Sequence, residues 1–272
     1  MKSDDVAQAV LKELGLSVRK LPEANALGQR ADFIAKLDQL TLLVEAKLRE
    51  EAPEELERME KELAEKQTYI SNHQLGNNNA LSAKIRDAVE QLEAEREEPH
   101  DYKVLLYLAD CLNAGVVCEQ IADTLYGTTS ILRSTPGASG LREIPCYFYR
   151  ENEFYPAKSL DAAIVGFKSG GSWVLTLCLN PYSHRFKEIR TSALARMFDG
   201  RTVDPVAEEA QGKALIPDHN APRPSKERKG FERMFSTADG MLRHLEKKYG
   251  APPHTFLQGH VNKSILILRR PS

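Results

Sequence analysis

Three charged residues, Asp32, Glu45 and Lys47, stand inside two runs that otherwise read as buried strand, FIAKL and LTLLVEAKLRE. With the turn at Asp38 and Gln39, Leu37 pairs with Leu40, Phe33 with Val44 and Asp32 with Glu45. One face of the hairpin is then wholly apolar, and the other carries both acids with Lys47 two residues on. Directly opposed side chains have Cβ atoms about 4.5–5.5 Å apart, and like charges so placed repel. A hairpin with a merely wet face would sooner pair opposite charges there. Two facing carboxylates make chemical sense around a divalent cation, and carboxylate oxygens suit Mg²⁺ or Mn²⁺, which also take substrate phosphate oxygens. Such a cation activates water and offsets charge at a phosphodiester. A neighbouring ammonium is suited to positioning that water or stabilising the pentavalent charge.

The elements that must position these groups are readable on either side. Ser3 caps a first helix with Asp4 and Asp5 in its first turn, Val6, Val10, Leu11 and Leu14 forming its stripe and Gly15 ending it. LSVRKLP is a short strand. After the hairpin, EEAPEELERMEKELAEKQTYI is predicted as one helix, HQLGNNNALS as a polar break, and ALSAKIRDAVEQLEAERE as a second helix. YKVLLYLAD is a central strand buried on both faces, and GVVCEQIADTLYG a helix ended by Gly127. This order predicts an α/β layered core with mixed strand directions.

A turn-rich stretch, STPGASGLR, is the expected boundary, separating a core over 1–135 from a C-terminal α+β extension over 136–272 whose role stays open. In that extension IPCYFYREN, DAAIVGF and WVLTLCLN read as strands, the last two joined at Gly170-Gly171. TSALARMF is a short helix, the segment from Asp204 to Gly230 a polar loop, ADGMLRHLEKKYG a basic helix and SILILRR a final strand.

Asp32, followed after twelve residues by Glu45-Ala46-Lys47 and preceded by a helix and a short strand, resembles the PD-(D/E)XK nuclease superfamily. The resemblance covers roughly residues 1–130. It implies a restriction-endonuclease-like mixed sheet flanked by helices. It also implies that Asp32, Glu45 and the Ala46 carbonyl bind Mg²⁺ (or Mn²⁺) and that Lys47 serves the attacking water. KIRDAVEQLEAE is similar to the helix that follows the motif in several branches, nominating Gln91 near the site and Lys84, seven residues earlier, as a nucleic-acid contact. Two features depart from the pattern. Arg30-Ala31, not proline, precedes Asp32, and the second half matches no branch.

The activity expected is metal-dependent phosphodiester hydrolysis, on DNA sooner than RNA, in a restriction, repair or phage-defence setting. The alternative is a catalytically silent member of the fold acting as a nucleic-acid-binding or assembly module. A net charge of −2 gives no overall basic field, so nucleic acid must be met through a local patch, a metal or a partner. By analogy with the superfamily that partner is a helicase or another defence-system protein, or a second copy in a homodimer. The stretch from Arg223 to Lys248 is the basic patch, with Arg223, Lys226, Arg228 and Lys229 expected to contact phosphates and Phe231 and Phe235 interleaved.

Other residues carry weaker expectations. Glu13 and Glu23 are acids that could reach the site but read better as exposed positions. The histidines show no metal-ligand spacing, and Ser183, His184 and Asp199 lack a nucleophile elbow. Four separated cysteines without a C-x-x-C pair exclude zinc-ribbon and disulfide frameworks. The opening residues lack a secretory pattern and no apolar run reaches about 18 residues, so a cytoplasmic protein away from membranes is expected.

Overall fold

The computed structural model describes residues 3–22, 30–76, 78–134, 140–221, 231–259 and 261–268. The chain opens with α1 (Ser3–Glu13), β1 (Ser17–Lys20), β2 (Phe33–Leu37) and β3 (Leu40–Glu50), then α2 (Pro53–Lys66), β4 (Thr68–Gln74), α3 (Asn79–Ala94), β5 (Tyr102–Asp110) and α4 (Ala114–Tyr126). It continues through β6 (Thr129–Ser134), β7 (Leu141–Cys146), β8 (Ala162–Ser169), β9 (Ser172–Leu179), α5 (Phe186–Ile189), α6 (Ala193–Met197) and β10 (Thr202–Val203). The last elements are α7 (Pro205–Ala210), α8 (Phe231–Lys248), β11 (Phe256–Gln258) and β12 (Asn262–Leu268).

Among the described residues the main sheet has seven strands in the order β1-β2-β3-β5-β8-β9-β10. The first three are antiparallel, β3, β5 and β8 run parallel, and β9 turns back on β8. The β5 run is buried on both faces, which accounts for its near-continuous apolar sequence. Helices cover both faces. Phe33, Leu42, Val44, Val104 and Leu106 pack with Val10 and Leu11 of α1 and with the α5–α6 segment. On the other face Ile34, Leu43, Leu105 and Tyr107 pack with Leu81, Ile85, Ala88 and Leu92 of α3 and with Val117 and Ile121 of α4. The chain is thus a mixed α/β protein built on a large mixed sheet between helices. Among the described residues no helix is long and apolar enough to cross a membrane.

Two predicted features change. The division at 135/136 does not follow the sheet: β8, β9 and β10 lie in the same sheet as β2 and β3, so the second half completes the layer that carries Asp32 and Glu45. Residues 129–134, 141–146 and 256–258 form a separate small sheet, β11-β6-β7, over a core with Met241 and Leu245 of α8. The helix predicted to run through Ile70 ends at Lys66. Gln67 caps it with a left-handed φ of 58°, and Thr68 to Gln74 form a strand. Thr, Tyr and Ile favour strands, and β4 finds its partner in β12, almost at the chain's far end.

The β8–β9 hairpin turns at Gly170 and Gly171, with φ of 57° and 87°. Both residues have positive φ, as a two-residue type I′ hairpin turn requires. Gly127 closes α4 where a Cβ would lie 2.5 Å from the Arg150 carbonyl oxygen, so glycine is obligatory there on both conformation and space.

Candidate functional site

The β2–β3 ladder has the predicted register, from Leu37 opposite Leu40 to Phe33 opposite Val44. The tight turn needs Asp38 at a φ of 54°, a left-handed conformation that Asp tolerates better than most residues. One position beyond Phe33 the Asp32 N–H still donates to the Val44 carbonyl at 3.1 Å, and the Ala46 N–H donates to the Asp32 carboxylate, 2.9 Å away. Residues of an extended strand send N–H and C=O to the same edge, so the Ala46 carbonyl faces the Asp32 side as well.

The polar face of the hairpin is only partly wet, with Asp32 and Lys47 half-buried. It turns toward α3, and Glu45 is 1% exposed. The Asp32 and Glu45 carboxyls are in hydrogen-bonding contact with each other. Lys47, which shares their face, donates to Glu45 Oε1 at 2.6 Å. Gln91 reaches down from α3. With its amide nitrogen toward the acid it donates to both Glu45 oxygens, 3.1 Å to Oε2. The opposite orientation sets its oxygen 3.4 Å from Lys47 Nζ but forces two acceptors together at Glu45, so the first is favoured.

Burial dominates the electrostatics. It pushes the Glu45 carboxyl up, Lys47 pulls it back and the negative Asp32 pushes it further, leaving it at about 8. Asp32 is also raised, again chiefly by burial, against the pull of the Ala46 N–H. A pair of buried acids in contact holds a proton between them or must be offered a cation instead. Among the described residues no group of three or more His, Cys, Asp and Glu could hold a metal. Two carboxylates with a backbone carbonyl are nonetheless a donor set that fits Mg²⁺, which keeps several waters and is bound through one or two carboxylates plus substrate phosphates.

The remaining predicted residues separate into three groups. Lys84 is exposed on α3, seven residues before Gln91. Arg223, Lys226, Arg228, Lys229 and Glu23 lie outside the described residues, as do the side chains of Phe231 and Phe235. Glu13 is exposed at the end of α1; the α1 acid whose charge acts on Asp32 is Asp4 in its first turn. Ser183 donates to Asp161 and has no triad arrangement with His184.

Sequence reasoning missed Arg49, the next residue on the acid face of β3. Continuing the two-residue alternation from Glu45 and Lys47 would have found it. Comparisons of the chain with protein-family models, with curated proteins and with solved structures return no match in any of the three.

Proposed function

We propose that the chain is a metal-dependent nuclease of restriction-endonuclease-like type that hydrolyses phosphodiester bonds, on DNA sooner than RNA. The contact between the buried Glu45 carboxyl and that of Asp32 carries this reading. A fold gains nothing from opposing two acids on one covered sheet face, whereas a divalent cation turns that repulsion into coordination. A helix and a short strand before an acid-bearing hairpin, and a Gln-bearing helix over it, support the superfamily resemblance.

Asp32, Glu45 and the Ala46 carbonyl are the groups that would hold Mg²⁺ or Mn²⁺. Bound there, the cation supplies Lewis-acid polarisation of a phosphate oxygen and acidifies water at the site. Lys47 holds the Glu45 carboxylate through Oε1 and keeps further N–H donors for the attacking water or the developing phosphorane charge. Gln91 fixes the rotation of the Glu45 carboxyl, as outer hydrogen bonds do for metal-ligating acids. The covering helix keeps bulk water off Glu45 and strengthens its interactions.

The test is cleavage of supercoiled, linear and single-stranded DNA, and of RNA, with Mg²⁺, Mn²⁺ or EDTA. Wild type is run beside Glu45→Ala and Lys47→Ala. Metal-dependent cutting lost in both variants supports the nuclease and names its substrate. Absence of cutting together with absence of Mn²⁺ binding by calorimetry overturns it and leaves the catalytically silent module. Mn²⁺ binding without cutting points to a delivering partner such as a helicase.

A further inference from the structure

Beyond Lys47 the acid face of β3 leads into a cleft of about 280 Å³ between β3, α2, β4, β12 and the start of α4. Its walls are polar. Arg49 and Glu51 come from β3 and the residue after it, Ser71 and His73 from β4, and Asn113 from the N-terminus of α4. Most of these groups are already engaged. Glu51 accepts from the Leu112 N–H at 2.8 Å, Ser71 meets His73 at 2.8 Å, and the cleft's other guanidinium, Arg58, is paired with Glu55 at 2.6 Å.

Arg49 differs from them. Among the described residues it has no hydrogen-bonded or ion-paired partner, although it is only partly exposed. The same wall includes the start of α4, a helix of 13 residues whose N-cap Asn113 makes no side-chain capping bond. Free N–H groups at a helix N-terminus favour an anion. Behind it, the Tyr107 hydroxyl lies within electrostatic reach of Arg49, Cys111 and Cys118. It is the one buried side-chain polar atom without a partner among the described residues. The Arg49 guanidinium and the start of α4 line one opening.

Resting on the nuclease reading above, we propose that this cleft receives the phosphate and nucleotide next to the scissile one, with Arg49 as the positioning residue. Two residues along a strand span about 7 Å, which matches the step between successive phosphates of an extended nucleic-acid strand. A substrate strand running along β3 thus presents one phosphate at Lys47 and the next at Arg49. The fork of Arg49 suits bidentate phosphate binding.

The test is steady-state cleavage of a labelled oligonucleotide by wild type, Arg49→Ala and Arg49→Lys, across a range of salt. The same substrate is also made with a neutral methylphosphonate replacing the phosphate on either side of the cut. The expected result is a KM about tenfold higher in Arg49→Ala with kcat nearly unchanged, and a salt slope lower by about one unit. Arg49→Lys restores the slope but not the full affinity. On one of the two methylphosphonate substrates wild type falls to the level of Arg49→Ala, and the variant loses nothing further. Unchanged KM in Arg49→Ala, or losses that multiply for both neutralised positions, overturns the proposal while leaving the nuclease intact. Should Arg49→Ala fail to fold, Arg49→Lys and the neutralised substrates on wild type decide it. Should wild type neither cut nor bind Mn²⁺, the nuclease reading falls. Oligonucleotide binding by anisotropy then decides the cleft alone: weaker in Arg49→Ala supports a phosphate site, equal binding overturns it.

Discussion

The main sheet buries two acids that look alike by burial and unlike by surroundings. Asp161, 4% exposed just before β8, has its needs met: Ser183 Oγ donates to one oxygen and the Lys103 N–H to the other at 2.8 Å. Glu45, 1% exposed within β3, also has donors in Lys47 and Gln91, but a second carboxyl is pressed against it. Burial raises both acids. Ser183 and the Lys103 N–H pull Asp161 back down, whereas Asp32 adds to the rise of Glu45 and partly undoes the pull of Lys47. Asp161 behaves as a latch that ties the β8 entry to the β5 start. Glu45 keeps a second acid pressed against it, the repulsion that the proposed metal site would relieve.

The sharpest way to break this contrast is to replace each acid. In Glu45→Gln and Lys47→Ala, metal-dependent cleavage is expected to fall by about 10²–10⁴-fold, the range for removing a group that handles protons or charge at the reacting centre. Asp161→Ala is expected to leave the cleavage rate per folded molecule unchanged. It strands the Ser183 hydroxyl and the Lys103 N–H, lowering stability by about 2–3 kcal/mol. Equal loss of activity in Asp161→Ala would erase the distinction between latch and site.

Stability against pH tests the same difference without a substrate. The folded-state value of Glu45, about 8, lies above its ordinary 4.5. The folded chain therefore holds a proton that the unfolded chain releases between those values. The stabilisation this gives is complete below about pH 4.5 and is lost as pH rises through about 8. Across that window the loss runs at about 1.4 kcal/mol for each pH step of one. In EDTA, wild type is expected to lose more stability over this range than Glu45→Gln, in which Asp123, raised by burial to about 7, still contributes. Mn²⁺ replaces the proton, so its thermal shift should grow with pH up to about 8 and vanish in Glu45→Gln. A wild-type profile that is flat in EDTA would mean that the acids do not compete for one proton.

How much of this was legible in the sequence depends on the range of each interaction. The hairpin register was legible because Phe33, Ala35, Leu42 and Val44 alternate with Asp32 and Glu45, and a one-residue slip would have sent the apolar set to the wrong face. Residues 68–74 were misread as helix and break because their strand partner is β12, nearly two hundred residues away. Local pattern carries no trace of such a pairing. Nor could alternation reveal that Glu45 is buried. That follows from Leu81, Ile85, Ala88 and Leu92 seating α3 on Ile34 and Leu43, which brings Gln91 over Glu45. The joining of β8 to β5 was hidden for the same reason: a parallel pair is made by crossover, and its strands show only continuous apolar runs.

Gln91 and Lys84 bring the comparison down to one helix and to the smallest effects. Gln91 touches the acid, so Gln91→Ala is expected to lower metal affinity or activity by about 10–100-fold, as loss of an outer hydrogen bond to a metal ligand does. Its pH profile should shift too, because a donor that favours ionised Glu45 is gone. Lys84 is exposed and touches neither acid. Lys84→Ala should leave kcat, metal affinity and the pH profile unchanged. If Lys84 meets a phosphate, the only change is weaker binding across all sequences and a salt slope lower by about one unit. A change in metal affinity in Lys84→Ala would show that α3 acts on the site as a whole and not through the single amide of Gln91.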